Sequence, residues 1–295
     1  MNPSGGSSAQ SHWITSLGSR LHYIDWGNKG RPTVLMIHGS RDHCRSWDLV
    51  ANALKHQYHI VAMDLRGHGD SEHISGGTYG AEEFLFDIHA LVKHLGAPIT
   101  VVAHSLGGAM ALRYAGLYPD NVEKLVTLEA GQPYPSVYAN YHSKTPVERM
   151  RQQIESLEYT VSRQAKRYHS IDAAVTRFLQ DKSHLDHDLA EHLARNALAT
   201  NDDGTFSWKF DPRVHALRPD GIVGEDRFSF WTEIRCPVLM IFGSASKLPG
   251  LDHTGLADII TSAQILKMDG LGHWPQHEDP EKVIAAIRQF IVATL

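Results

Sequence analysis

Ser105 stands in the segment Ala103-His104-Ser105-Leu106-Gly107-Gly108, directly after the apolar, β-branched run Ile99-Thr100-Val101-Val102. Apolar residues then recur at helical spacing, at Leu106, Met110, Leu112 and Leu117. The pattern reads as a buried strand, a sharp turn and a helix, with the serine at the apex of a small-x-Ser-x-Gly elbow. A hydroxyl placed there can attack an electrophilic carbon once a neighbouring imidazole removes its proton. Residues 103, 107 and 108 must be small because the two backbones approach closely at such a turn. Ala103 stands where a glycine is usual. The following helix aims unpaired N–H groups and its positive dipole end at any nearby oxyanion. An ordinary βα turn with a surface serine has the same short pattern, so the other residues must decide.

The histidines that could serve the serine are His38, His104 and His273. Asp64, Arg66, His68 and Asp70 form a second charged, Gly-rich group, for which an architectural loop is the plainer reading. The chain holds 20 histidines, and pairs such as His184/His187 and His187/His192 invite a metal. They lie among Asp, Lys and Glu on a helix that reads as a solvated face, so no metal site is expected. Cys44 and Cys236 are the only cysteines, which excludes a disulfide framework and fits a reducing compartment.

The elements that carry these residues follow from periodicity. Residues 12–17 and 21–26 read as two strands joined at Gly18-Ser19, after a Gly/Ser-rich stretch, 1–11, expected to be a disordered leader. Apolar runs at 33–37, 59–63, 99–104, 122–128, 236–243 and 264–268 read as strands buried on both faces of a parallel sheet. Helical stripes lie between them, at Trp47 to Leu54, Glu82 to Leu95 with Gly96 as C-cap, near 254–261, and from Pro280 to Val292. Segments 132–234 read differently: helical, charged and aromatic, with helices expected at 146–159, 160–169, 171–181 and 186–199 and a turn at Asn201-Asp202-Asp203-Gly204. About a hundred residues of this kind between two buried strands imply an inserted helical cap. The core is then 12–131 with 235–295, an α/β doubly wound sheet. At 295 residues, net charge −5 and without a bilayer-length apolar run, the chain excludes nucleic acid and a membrane span, and a cytoplasmic location is expected.

His38-Gly39 after an early strand, Asp64-x-Arg66-Gly67-His68-Gly69-x-Ser71, the Ser105 elbow and Gly272-His273 before the last helix occur in the order found in the α/β-hydrolase superfamily. From about residue 20 to the C-terminus the chain resembles that superfamily, in its serine-nucleophile branch with a cap inserted after the sixth strand. The resemblance implies Ser105 as nucleophile and His273, in a Gly-flanked loop, as base. It implies the backbone N–H groups of Ser40 and Leu106 as oxyanion donors. His104 points away from Ser105 and reads as structural, and His38 as shaping the pocket. Many relatives carry the triad acid three residues past the glycine that ends the 237–242 strand. Here that residue is Ser246, which leaves Glu129, at the end of the strand after the elbow helix, or Asp252. Glu129 is favoured, because a carboxylate closing the apolar strand Leu125-Val126-Thr127-Leu128 needs a partner.

The resemblance implies acyl transfer to water without a cofactor, with a small to medium carboxylic ester as substrate. The serine excludes branches that attack with Asp, the haloalkane dehalogenases and epoxide hydrolases. The same triad would serve C–C bond hydrolysis, lactone hydrolysis or perhydrolysis, and a slow small-molecule receptor is the alternative of another class. Aromatic residues near the cap hinges, Tyr134 and Trp231 among them, and His38 are the expected substrate contacts; Arg41 or His43 could add to them.

Overall fold

In the computed structural model, residues 9–75, 79–131, 135–163, 165–182, 185–216, 227–248 and 259–292 are described. Eight strands form one sheet: β1 (Gln10–Ser16), β2 (Ser19–Asp25), β3 (Thr33–Ile37), β4 (His59–Met63), β5 (Ile99–His104), β6 (Val122–Leu128), β9 (Val238–Gly243) and β10 (Ala263–Met268). Their order is β1-β2-β4-β3-β5-β6-β9-β10. The β1–β2 and β2–β4 pairs are antiparallel and the remaining pairs parallel. The strand pattern sorts side chains by parity. Leu35 and Ile37 face one core, with Phe84, Ile88 and Leu91 of α2 (Ala81–Leu95) and Met110 of α3 (Ser105–Leu117). Val34 and Met36 face the other, with Val50 and Leu54 of α1 (Asp48–Leu54) and Ile287 and Phe290 of the last helix. Both faces of the central strands are therefore dry, which is why they read as continuous apolar runs.

Strand β1 begins at Gln10, so the expected leader is shorter than 1–11: Gln10 and Ser11 pair with Asp25 and Ile24. Residues 1–8 lie outside the described residues. The helix expected near 254–261 falls largely on residues 249–258, also outside them, and 259–262 form a turn.

The region between β6 and β9 carries α4 (Pro135–His142), α5 (Pro146–Ser162), α6 (Ile171–Asp181), α7 (His187–Asn196) and α8 (Arg227–Thr232). Helix α5 starts on a capping box in which Thr145 and Glu148 bond reciprocally. Two expectations fail here. Residues 163 and 165–170 are not helical, and α7 ends at Asn196, after which β7 (Leu198–Thr200) and β8 (Phe206–Trp208) pair across the 201–204 turn. Strands of three residues are too short for alternation to show in sequence. The chain closes with α9 (Pro275–Glu278) and α10 (Pro280–Val292). Among the described residues no helix is long and apolar enough to cross a membrane.

Candidate active site

The carboxyl ends of β5, β6 and β9 and the loop before α9 converge on one place. Ser105 leaves β5 at φ 48°, a left-handed conformation that few residues other than glycine adopt. The elbow holds it there through close packing: a Cβ at Gly107 would stand 2.5 Å from the His38 carbonyl oxygen. On the other side a Cβ at Gly39 would stand 2.7 Å from the His104 ring and 3.1 Å from the Ser105 Cβ. The His38-Gly39-Ser40 loop therefore lies directly against the elbow, and glycine is required on both faces of that contact.

His273 Nε2 lies 3.1 Å from Ser105 Oγ, and its Nδ1 lies 3.3 Å from Glu129 Oε2. A carboxylate only accepts, so Nδ1 carries the ring proton and Nε2 presents its lone pair to the serine hydroxyl. Glu129 follows β6 directly, is 1% exposed and adopts φ 51°. Two strained residues, Ser105 and Glu129, thus bracket the histidine, as is common where a fold positions chemistry. The buried carboxylate is satisfied on all sides. Gly243 N–H donates to its Oε1 at 2.6 Å, and Ser246 Oγ–H donates to Oε2.

Leu106 is the second residue of α3, so its N–H is one of the four amides a helix start leaves free. Ser40 lies across the elbow, in the loop that packs on Ser105. His104 Nε2–H donates to the His273 carbonyl at 2.7 Å, and burial holds its ring well below the ordinary histidine pKa. The ring is neutral and ties the β5 end to the loop carrying His273.

Other expected site residues have other surroundings. His38 is fully buried: its Nδ1–H donates to the Gly39 carbonyl at 2.6 Å, and its Nε2 accepts from Leu65 N–H at 3.0 Å. It shapes the His38-Gly39-Ser40 loop from beneath, with both ring nitrogens engaged by backbone. Trp231 is 2% exposed and packs edge-on to Phe228 at 5.5 Å, so its indole belongs to the core, not to a substrate wall. His43 is buried and donates to the Leu193 carbonyl at 3.0 Å, a strut between the loop after β3 and α7. Tyr134 and Asp252 lie outside the described residues.

The charged loop after β4 is structural. Asp64 accepts from Cys44 N–H at 2.6 Å, His22 Nδ1–H at 2.7 Å and Asp70 N–H at 2.9 Å. Arg66 makes a bidentate pair with Asp87, both contacts 2.6 Å. His22, Cys44 and Asp64 are, among the described residues, the one group close enough to share a metal ion, within 4.8 Å of one another. Sequence spacing gave no sign of it. The bonds to Asp64 already account for the cluster, and burial pushes the Cys44 thiol well above its ordinary value, away from the thiolate a metal requires.

The chain belongs to the alpha/beta hydrolase family, whose sequence profile matches residues 34–286. It is similar to epoxide hydrolase 4 of Mus musculus, 31% identical over 47% of this chain and 38% of that protein. It is similar to epoxide hydrolase 3 of Xenopus tropicalis, 27% identical over 93% of this chain and 75% of that one. The chain therefore spans well under half of the first relative and three quarters of the second. Among solved structures, the thioesterase domain from the curacin biosynthetic pathway superposes with a TM-score of 0.80 at 23% identity, over 97% of this chain and all of that one. At that identity the likeness concerns the fold.

Proposed function

We propose that the protein is a serine hydrolase that cleaves a small to medium carboxylic ester through an acyl-enzyme, with Ser105 as nucleophile, His273 as base and Glu129 as acid. The observation that carries the reading is the pair of contacts on one imidazole, 3.1 Å to Ser105 Oγ and 3.3 Å to Glu129 Oε2. His273 Nε2 takes the hydroxyl proton as Oγ bonds to the ester carbon. The carbonyl oxygen becomes an oxyanion facing the N–H groups of Ser40 and Leu106, each such donor being worth roughly 10²–10³ in rate. The imidazolium then protonates the departing alcohol, and Glu129 stabilises its charge without taking its proton. Water, activated by the same Nε2, releases the acid.

The similarity to epoxide hydrolases supports hydrolysis and not their substrate. The residue at the elbow is a serine, which suits an acyl carbon and departs from the branches that attack with Asp. A fluorophosphonate probe tests the nucleophile: it should label the wild type and not Ser105→Ala, and an unlabelled wild type would sink the proposal. A panel of acyl esters, lactones, vinylogous diketones and an epoxide then ranks the substrates. Labelling without turnover of any of them would favour the receptor reading.

A further inference from the structure

A cavity of about 920 Å³ opens beside Ser40 and Trp274, between the sheet's carboxyl edge and the cap. Its wall carries Arg41, Arg163, Lys166, Arg177 and Lys182 against one carboxylate among the described residues, Asp42. That balance is not compositional, because the whole chain is net acidic, at −5. Asp42 Oδ1 accepts from His43 N–H at 2.9 Å, and one carboxylate cannot offset five cations. Burial raises its carboxyl, but His43, His277, His38 and Lys182 of the cavity wall outweigh that and hold it below the ordinary range.

Three of the five cavity cations lie over aromatic faces. Arg163 lies 5.4 Å over Tyr159, Lys166 5.2 Å over Tyr168 and Lys182 4.1 Å over Trp274. A ring face positions a cation without cancelling its charge as a carboxylate would. Arg41, next to the oxyanion residue Ser40, adopts φ 61°, an unfavourable conformation for a residue of its size. His215, on the same wall, is pushed below its ordinary pKa by burial and then by Arg41 and Arg163, so one cation from the core and one from the cap face the same imidazole.

We infer that the substrate carries anionic oxygens, a carboxylate or a phosphate, on the part that fills this cavity, several bonds from the scissile carbonyl. The inference rests on the serine-hydrolase reading for the bond cleaved, while the anion site itself is independent of it. Arginine forks bind both kinds of anion in two-point fashion, and closing the cap over them would strengthen the contact.

Matched pairs test it. Mono-p-nitrophenyl glutarate is compared with p-nitrophenyl pentanoate, and the phosphate ester of S-acetylpantetheine with S-acetylpantetheine. The anionic member of at least one pair should be favoured about tenfold or more in kcat/KM at low salt, the range expected of charge-assisted hydrogen bonds. The preference should shrink as salt is raised, and which pair shows it separates carboxylate from phosphate. In Arg163→Gln/Lys166→Gln the anionic-to-neutral ratio should fall at least about fivefold. Equal rates within both pairs, or a ratio untouched by the double variant, would overturn the inference. If no ester is turned over and Ser105 is not labelled, the hydrolase reading fails separately. Calorimetry with glutaric acid monoanilide against pentananilide then decides the cavity: preferential binding of the anion upholds the site, and equal binding refutes it.

Discussion

Ser246 Oγ and His273 Nδ1 converge on the same carboxylate oxygen, Glu129 Oε2. The serine occupies the position at which many relatives place the acid itself. In the proposed triad the acid comes from the end of β6, and the end of β9 and the loop after it contribute hydrogen-bond donors to that carboxylate, Gly243 N–H and Ser246 Oγ–H.

Glu129→Gln should therefore lower kcat on a p-nitrophenyl ester by about 10³–10⁴, because an amide no longer fixes the tautomer or stabilises the imidazolium. Ser246→Ala removes one donor to the acid and should cost about tenfold or less. Asp252→Asn should stay within about threefold of wild type. Glu129→Gln/Ser246→Asp, which returns the carboxylate to the β9 loop, should recover at least about tenfold over Glu129→Gln. Steady-state kinetics on the four variants check this, and a collapse confined to Asp252→Asn would move the acid to that residue.

His104 does not touch the serine hydroxyl, yet its Nε2–H holds the carbonyl of His273 at 2.7 Å. His104→Leu removes the donor, leaves that carbonyl unsatisfied and should cost about 1–3 kcal/mol of stability. As a positioning residue it should act on kcat more than on KM, with kcat down about tenfold and KM within about twofold. His104→Gln keeps an N–H on a similar lever and should restore most of kcat. Equal loss in the two variants would make the ring's volume, not its bond, the reason for its presence.

Much of the framework was legible because it follows from local physics. Strands β3, β4 and β6 and helix α10 have the limits that their apolar runs and flanking turn residues mark. Small residues marked the elbow at Ser105 and the resemblance marked the His273 loop, and the fold brings the two side chains to 3.1 Å. Ser246, where a carboxylate is usual, pointed to Glu129, which the fold brings to 3.3 Å from His273 Nδ1. The bond from Ser246 to Glu129 was not legible, since it exists only because β6 and β9 are neighbours across the whole cap. The β7–β8 ribbon was hidden by its shortness, and Trp231 was misplaced because aromatic content does not say which face of a hinge a ring covers. The cavity's charge escaped for a similar reason: Arg41, Arg163, Lys166, Arg177 and Lys182 form no run in the chain and are gathered by the fold.

Buried histidines set the acid limit of stability. Burial holds His68 down to about 3 and His277 to about 4, and keeps His43 and His104 below the ordinary value of 6.5. In the unfolded chain each takes up a proton as pH falls through its ordinary value, while in the fold it stays neutral. Unfolding therefore binds protons, and stability is full above the unfolded value and lost as pH falls from there toward 4. Each such proton contributes a slope of about 1.4 kcal/mol per pH unit. Urea unfolding at several pH values from 7.5 to 4.5 should show midpoints falling steadily, and His277→Gln should reduce the slope by about one proton. A flat profile below pH 6.5 would mean that these rings are protonated in the fold.

The Arg66–Asp87 pair gives the sharpest test of whether the charged loop after β4 is a strut or part of the chemistry. Both side chains are buried, the guanidinium grips the carboxylate through two bonds of 2.6 Å, and Ser16 Oγ–H donates to the same carboxylate at 2.6 Å. Breaking such a pair leaves an uncompensated buried charge, so Asp87→Ala should lose about 3–5 kcal/mol in chemical unfolding. Replacing both partners, as Arg66→Met/Asp87→Leu, removes the stranded charge and should cost less than the single change. A structural pair predicts that the fraction of either variant still folded labels with fluorophosphonate at the wild-type rate. A folded, stable double variant that no longer labels would instead give Arg66 a role at Ser105.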